Sequence, residues 1–597
     1  YDIQEKYEKH IYDIPMRDGI KLHTIIYTPK DKSEKYPFLL MRTCYSIRPY
    51  EPDVFRTSLG PNRFLQEEGY IFVYQDVRGR FMSEGKITNM TPNIPGNKHK
   101  NMTDESSDTW DTIEWLLKNI KNHNGKAGIY GTSYPGFYAA ASLPDAHPAL
   151  KAASPQAPIA DFYFDDFHHN GAFIQAYLPI FPVFGYQKET QTTEKWYTDK
   201  YIQGDYNDGY QFHLELGPLK NVTEDVFPDN FFWQEHVEHP NYDDFWQKRN
   251  LLPHLENVKP AVLVVGGWFD AEDLYGPLNI YKTIEKSGEN YSSLIMGPWS
   301  HGDWHRNEGS QVINHIHFGD SISKFFQQKI ETPFFNHYLK GKGALDIPEA
   351  WLFDTGANQW RAFEQWPSPE MQSFTFYFHE KEKLSLTTPG DANEKFEYIS
   401  DPMKPIPYTS EIEPLVFTPR RYMTDDQRYA SRRPDVLTFA TEPLQEDLTL
   451  GGEIMAYLNV ATTATDMDLV VKIIDEFPAK VENKENVPEH VTMEGYQMLV
   501  RSELFRARFR NSFEKPEPFV PNQKTQVKIP VQDILHTFKK GHRIMIQIHS
   551  TWFPLMDRNP QNYVENIFKA EEKEFTKATI TLFGDSRILI NAKNTKE

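Results

Sequence analysis

Two glycines flank a serine at a spacing that serves chemistry better than packing. Gly131-Thr132-Ser133-Tyr134-Pro135-Gly136 follows an apolar run at 127–130 that reads as a short buried strand, and precedes a small, apolar run at 137–142 suited to a helix lying close on a sheet. Strand, a Gly-x-Ser-x-x-Gly turn with Pro135 where the Gly-x-Ser-x-Gly pattern has its second glycine, and helix together make a nucleophile elbow. The serine occupies a sharp, strained turn where side chains at the flanking positions would clash. The turn lifts Oγ clear of the sheet and aims the next backbone N–H, that of Tyr134, at a developing oxyanion. An ordinary strand-to-helix turn is the plainer reading of the same residues.

A serine nucleophile needs a base, and the base needs an orienting acid. Two later apolar runs end in such groups. The first, 261–270, closes on Asp270, and the second, 291–301, closes on His301. Ser133, Asp270, His301 is the chain order of the α/β-hydrolase triad, each member just past a buried strand. With 21 histidines in the chain, a histidine alone carries little, so position selects His301, with His305 as runner-up. Glu272 and Asp273 compete with Asp270, which is preferred because it directly ends the strand. A polar residue on the solvated surface is the plain alternative for each.

The elements that must position these residues follow in order. Asp18-Gly19 between two alternating runs signals a hairpin. Residues 37–41 and 70–74 read as buried strands, and 108–121 carries apolar residues at helical spacing. This alternation predicts a parallel or mixed sheet with helices on both faces. The rhythm breaks over 156–255, a stretch rich in aromatics, Pro and His, which reads as a mainly helical cap over the sheet edge. It resumes over 256–348, with a helix at about 276–286. From 349 to 597, short alternating strands separated by turn residues predict an all-β, jelly-roll sandwich. The expected fold is thus α/β plus all-β. It comprises an α/β-hydrolase domain in two parts, 1–155 and 256–348, interrupted by the cap and followed by the β domain. Lys480 to Glu489 reads as a charged, solvated loop.

Composition narrows the partners. In 597 residues, 39% hydrophobic and 14% aromatic, there is enough apolar matter for real cores. A formal net charge of −20 argues against nucleic acid and suits a cationic substrate. The single cysteine, Cys44, excludes an intrachain disulfide and a Cys/His zinc site. No apolar run is long enough to span a membrane. The chain opens at Tyr1 without a charged segment leading into an apolar one. The expectation is a secreted or periplasmic protein whose signal peptide has been removed, with a cytoplasmic location as the alternative.

Three motifs, Gly131–Gly136, Val265-Gly266-Gly267-Trp268-Phe269-Asp270 and Gly297-Pro298-Trp299-Ser300-His301, resemble the cocaine-esterase and X-Pro-dipeptidyl-peptidase (CocE/NonD) superfamily of serine hydrolases. Within it the chain is most similar to the α-amino acid ester hydrolases, often labelled glutaryl 7-aminocephalosporanic acid acylases. The likeness extends into the β domain, at 432–439, 540–545 and 552–561. It implies Ser133, Asp270 and His301 as the triad. It implies the Tyr134 N–H and the Tyr45 hydroxyl as the oxyanion hole, although Cys44 stands where the family has proline. It also implies a carboxylate cluster that binds the substrate's α-ammonium. Two members come from Asp270-Ala271-Glu272-Asp273. The third comes from Phe164-Asp165-Asp166-Phe167, with Asp166 preferred and Asp165 the alternative. No cofactor or metal is implied, and a homo-oligomer is.

Three clustered carboxylates repel one another, so an empty site should raise at least one pKa, and an ammonium should relieve the strain. The plain alternative for Glu272 and Asp273 is a helix N-terminus that favours acids. The expected activity is hydrolysis of α-amino acid esters and β-lactam amides through an acyl-enzyme. An X-Pro dipeptidyl peptidase or a general carboxylesterase is the alternative, and a carbohydrate-binding protein with an inactive α/β part comes a distant third.

Overall fold

The computed structural model describes residues 2–96, 101–198, 201–288, 290–306, 311–312, 316–482 and 487–594. Residues 483–486 of the charged loop lie outside these. A ten-stranded sheet forms the first layer. Its strands are β1 (Tyr7–Pro15), β2 (Lys21–Pro29), β3 (Tyr36–Thr43), β4 (Ile71–Asp76), β5 (His123–Thr132), β6 (Leu150–Gln156), β7 (Ala261–Gly267), β8 (Ser292–Gly297), β9 (Ala350–Asp354) and β10 (Gln359–Phe363). The spatial order is β1-β2-β4-β3-β5-β6-β7-β8-β9-β10. From β4 to β9 all neighbours are parallel. The hairpin at Asp18-Gly19 and the β9–β10 pair add antiparallel edges. Parallel strands are covered on both faces, so they read as continuous apolar runs. β4, β7 and β8 are buried along their whole length.

Two boundaries differ from the sequence reading. The first helix, α1, spans Glu105–Asn119 and starts earlier than 108, because Asp104 and Ser107 close a reciprocal capping box there. Alternation places residues 350–363 in the β domain, but β9 pairs in parallel with β8 and so extends the first sheet. Alternation alone does not say which sheet a strand joins. Two further helices matter for the site: α2 (Tyr134–Ala141) and α3 (Tyr275–Ser287).

Between β6 and β7 the chain forms short helical segments, the longest of eight residues, and a two-residue hairpin, His168–His169 with Ala172–Phe173. Aromatic packing gives this region its shape. Phe181 meets Phe167, Phe232, Trp233 and His236 with ring centroids 4.8–5.5 Å apart. Such pairs are worth about 0.5–1.5 kcal/mol each beyond the area they bury.

The C-terminal domain is all β. Eleven strands form one hydrogen-bonded network. It is antiparallel except where Lys383–Ser385 meets Leu437–Ala440. The long strand Leu448–Thr462 pairs with three others and carries a register shift at Gly452/Ile454. Its apolar residues form a core of their own. The first domain's core also takes in Trp552, Leu555, Met556 and Phe568 of the C-terminal domain, so the two pack as one body. Among the described residues no helix is long and apolar enough to cross a membrane.

Candidate active site

Ser133 lies just past β5 and opens α2 with φ 71° and ψ −127°. That conformation costs a non-glycine residue on the order of 1–3 kcal/mol and persists because its surroundings enforce it. The Ser133 N–H donates to the Gln156 carbonyl at 2.9 Å, and the Phe137 N–H donates to the Ser133 carbonyl at 3.0 Å. The flanking glycines are steric necessities. A Cβ on Gly131 would lie 2.2 Å from the Pro135 carbonyl oxygen, and one on Gly136 would lie 2.6 Å from that of Gln156. Tyr134 is the first residue of α2, so its N–H has no helical acceptor one turn earlier.

Asp270 follows β7. Its Oδ1 accepts from the N–H groups of Glu272 and Asp273 at 2.8 and 2.9 Å, and its Oδ2 accepts from His301 Nδ1 at 2.8 Å. Burial opposes its charge, but the His301 charge and hydrogen bond and the two backbone donors outweigh this and hold Asp270 below the ordinary aspartate range. His301 follows β8. Burial pulls it down, while Asp270 and Glu272 push it further the other way, to about 9. His305, the runner-up, faces elsewhere: its Nε2 meets both Glu331 carboxylate oxygens at 2.9 and 3.0 Å.

Nε2 of His301 lies 3.3 Å from Glu272 Oε2. Ser133 Oγ lies 3.5 Å from Asp273 Oδ2, and Ser133 and His301 make no hydrogen bond to each other. The carboxylates therefore occupy both ends of the gap a Ser–His bond would close. Asp166 joins them. Its Oδ1 accepts from the Tyr177 hydroxyl at 2.9 Å, and its carboxylate stands beside that of Asp273. Burial, then the Glu272 charge, pushes Asp166 up to about 7. Burial also raises Glu272, and burial together with the Asp166 and Asp165 charges raises Asp273 far above its ordinary value. Asp273 Oδ1 is buried without a hydrogen-bond partner.

Asp165 has a different surrounding. Its carboxylate accepts from the backbone N–H groups of Ala160, Asp161 and Gly276 at 2.7–3.0 Å, tying the cap to α3. Glu272 and Asp273 precede α3, but their charges face His301 and Ser133, which a helix N-terminus alone would not require.

Tyr45 lies two residues past β3, at the start of the loop that follows it. Its ring meets that of Tyr134 edge-on at 6.3 Å. The residue is 38% exposed. The hydroxyl is nevertheless held well above the ordinary phenol range, by burial first and then by its neighbours, including the Glu272 and Asp166 charges. It stays a proton donor. The Cys44 step in this loop is fixed from below, where Arg80 donates to the Cys44 carbonyl at 2.9 Å and to the Val183 carbonyl at 2.8 Å.

Sequence reasoning missed the contribution of the C-terminal domain. Arg420 donates to the His301 carbonyl at 2.7 Å and to Asp303 Oδ1 at 2.8 Å. Thr418 faces Glu272 and favours its charged form, and Phe417 packs edge-on against Tyr177 at 5.0 Å. Nothing in the local sequence around 417–420 marks these residues, because their partners are more than a hundred positions away.

An elbow serine, a strand-end Asp–His pair and a mixed sheet capped at one edge define a serine hydrolase of α/β-hydrolase type. Residues 18–303 match the X-Pro dipeptidyl-peptidase (S15 family) model, and residues 343–587 match the X-Pro dipeptidyl-peptidase C-terminal non-catalytic domain. The chain belongs to the cocaine-esterase and X-Pro-dipeptidyl-peptidase (CocE/NonD) superfamily of serine hydrolases. It is similar over 98% of its length to the crystal structure of an aminopeptidase from a marine sediment Thaumarchaeota archaeon, with 35% identity, 96% of that chain covered and a TM-score of 0.89. It is similar over 98% of its length to an α-amino acid ester hydrolase, with 33% identity, 97% of that chain covered and a TM-score of 0.88. Cocaine esterase from Rhodococcus sp. (strain MB1 Bresler) is 26% identical over 92% of this chain and 91% of its own.

Proposed function

We propose that the protein hydrolyses esters and amides whose acyl group carries a free α-ammonium, through a Ser133 acyl-enzyme. The observation that carries this reading is the convergence of Glu272, Asp273 and Asp166 on the nucleophile and base, all buried and, among the described residues, with no lysine or arginine paired to them. One ammonium–carboxylate contact at about 4 Å is worth roughly 4 kcal/mol at an effective dielectric near 20. Two of the similar proteins are named an aminopeptidase and an α-amino acid ester hydrolase, and both names imply a substrate amine.

The geometry suggests how the substrate switches the site on. In the empty site His301 holds a proton that faces Glu272, and a protonated imidazole is no base. A bound ammonium takes Glu272 and Asp273 as its partners. That removes the charge that keeps the proton on Nε2 and the acceptor that holds Ser133 Oγ. His301 loses its proton to solvent, and Oγ turns from Asp273 to Nε2. His301 then takes the Ser133 proton as Oγ attacks the carbonyl carbon. The oxyanion forms between the Tyr134 N–H and the Tyr45 hydroxyl. Asp270 orients the imidazole and stabilises the imidazolium, which protonates the leaving group. Water then cleaves the acyl-enzyme by the same steps, and a good amine nucleophile intercepting it gives acyl transfer.

An X-Pro dipeptidyl peptidase is the second reading, favoured by the family models. A panel of single aminoacyl esters, aminoacyl arylamides and Xaa-Pro arylamides tests between them, with Ser133→Ala as the blank. Turnover of single aminoacyl substrates supports the proposal, and turnover of Xaa-Pro amides alone overturns it.

A further inference from the structure

Glu272, Asp273 and His301 each present one donor atom, all within 4.8 Å of one another, and all three side chains are buried. We propose that these residues also bind a Zn²⁺-type divalent ion, which excludes the substrate ammonium and inhibits the enzyme. The inhibitory part rests on the functional reading above, whereas the site itself does not.

Three features beyond proximity support the ion. The first is spacing. Bonds of about 2.0–2.2 Å around a tetrahedral zinc place neighbouring donors about 3.3–3.5 Å apart. His301 Nε2 and Glu272 Oε2 stand at 3.3 Å before any ion arrives. The second is the support behind the histidine. Nδ1 is held by Asp270 Oδ2 at 2.8 Å, which directs the Nε2 lone pair of the neutral ring toward Glu272. Zinc-ligating histidines are oriented by a carboxylate in this way. The third is Asp273 Oδ1, buried and without a hydrogen-bond partner. An imidazole and two carboxylates make a borderline donor set that suits zinc better than magnesium or calcium. Ser133 Oγ, 3.5 Å from Asp273 Oδ2, or a water can supply a fourth oxygen.

Coordination through Nε2 requires the neutral imidazole, so binding releases that nitrogen's proton to solvent. The bound ion then removes the base from Ser133 and two carboxylates from the ammonium. Inhibition should therefore be competitive with an amino ester.

The test is calorimetric titration of the full chain with ZnCl₂ in a non-coordinating buffer, beside initial rates on an aminoacyl ester. One ion per chain is expected, with KM rising and kcat unchanged as zinc is added. Glu272→Gln and Asp273→Asn should each weaken binding by at least about tenfold, with circular dichroism checking their folds. Ser133→Ala, which cannot turn over, should still bind zinc and should lose it when an aminoacyl ester is added. Zinc affinity unchanged in both carboxylate variants, no binding at all, or binding that does not compete with the ester would each overturn the proposal. A chain that binds zinc through Glu272 and Asp273 but hydrolyses no amino ester would retain the metal site and sink the functional reading instead.

Discussion

Replacing Glu272 by Gln should make the enzyme faster, near neutral pH, on a substrate it is not built for. The carboxylate lies 3.3 Å from His301 Nε2 and helps hold the histidine at about 9. At that distance a full charge at an effective dielectric near 20 is worth roughly 5 kcal/mol, on the order of three to four pH units. Glu272 is itself pushed up by burial, so it carries less than a full charge, and Asp270 remains in place. A shift of about 1–2 pH units is what should survive. The sign follows from the charge: with a carboxylate gone, His301 releases its proton more easily and is a free base at lower pH. The assay is kcat/KM against pH for an ester lacking the α-amine, because this profile reports the free enzyme. In wild type the rising limb should lie near 9. In Glu272→Gln it should move down by about 1–2 units, raising the rate at neutral pH by about tenfold per unit. Wild type acting on an amino ester should show the lower limb in kcat, because the ammonium neutralises the same carboxylate. An unmoved limb, or one displaced upward, would refute the idea that Glu272 holds the proton on His301.

Three further outcomes are expected. Tyr45→Phe should lower kcat on an amino ester by about 10²–10³ with KM little changed, as measured by steady-state kinetics, because the role proposed for the lost donor is to bind the oxyanion. Gly136→Ala should lower the melting temperature by several degrees, about 2 kcal/mol or more, because its Cβ meets the Gln156 carbonyl oxygen at 2.6 Å and both groups are backbone-bound. Arg420→Ala should reduce kcat by about tenfold through loss of the bonds to the His301 carbonyl and Asp303, each worth roughly 1.5–3 kcal/mol, with Arg420→Lys recovering part of it.

What was legible in the sequence follows from what is local. Ser133, Asp270 and His301 each stand just past a strand that reads as an apolar run, so their positions could be picked out in order. Glu272 and Asp273 could be found because they share a turn with Asp270. The choice between Asp165 and Asp166 could not be read, because the two neighbours in one tight turn point to different environments: three backbone N–H groups for Asp165, Tyr177 and Asp273 for Asp166. His305 could be set aside only once Glu331, distant in sequence, was seen to hold it. Thr418 and Arg420 reach the site by the packing of one domain against another, which leaves no local pattern. The strands at 350–363 alternate like those of the β domain yet join the first sheet, because edge pairing depends on which neighbour is free.

Kinetics on one pair of esters, alike except for the α-amine, tests the ammonium site most directly. Wild type at neutral pH should favour the amino ester in kcat/KM by at least about 10³, the equivalent of roughly 4 kcal/mol from a single buried charge contact. In Glu272→Gln most of that preference should vanish, through slower turnover of the amino ester and faster turnover of its analogue. Equal turnover of the two esters by wild type, unchanged in the variant, would contradict the ammonium site and leave a serine esterase with an acidic pocket of some other use.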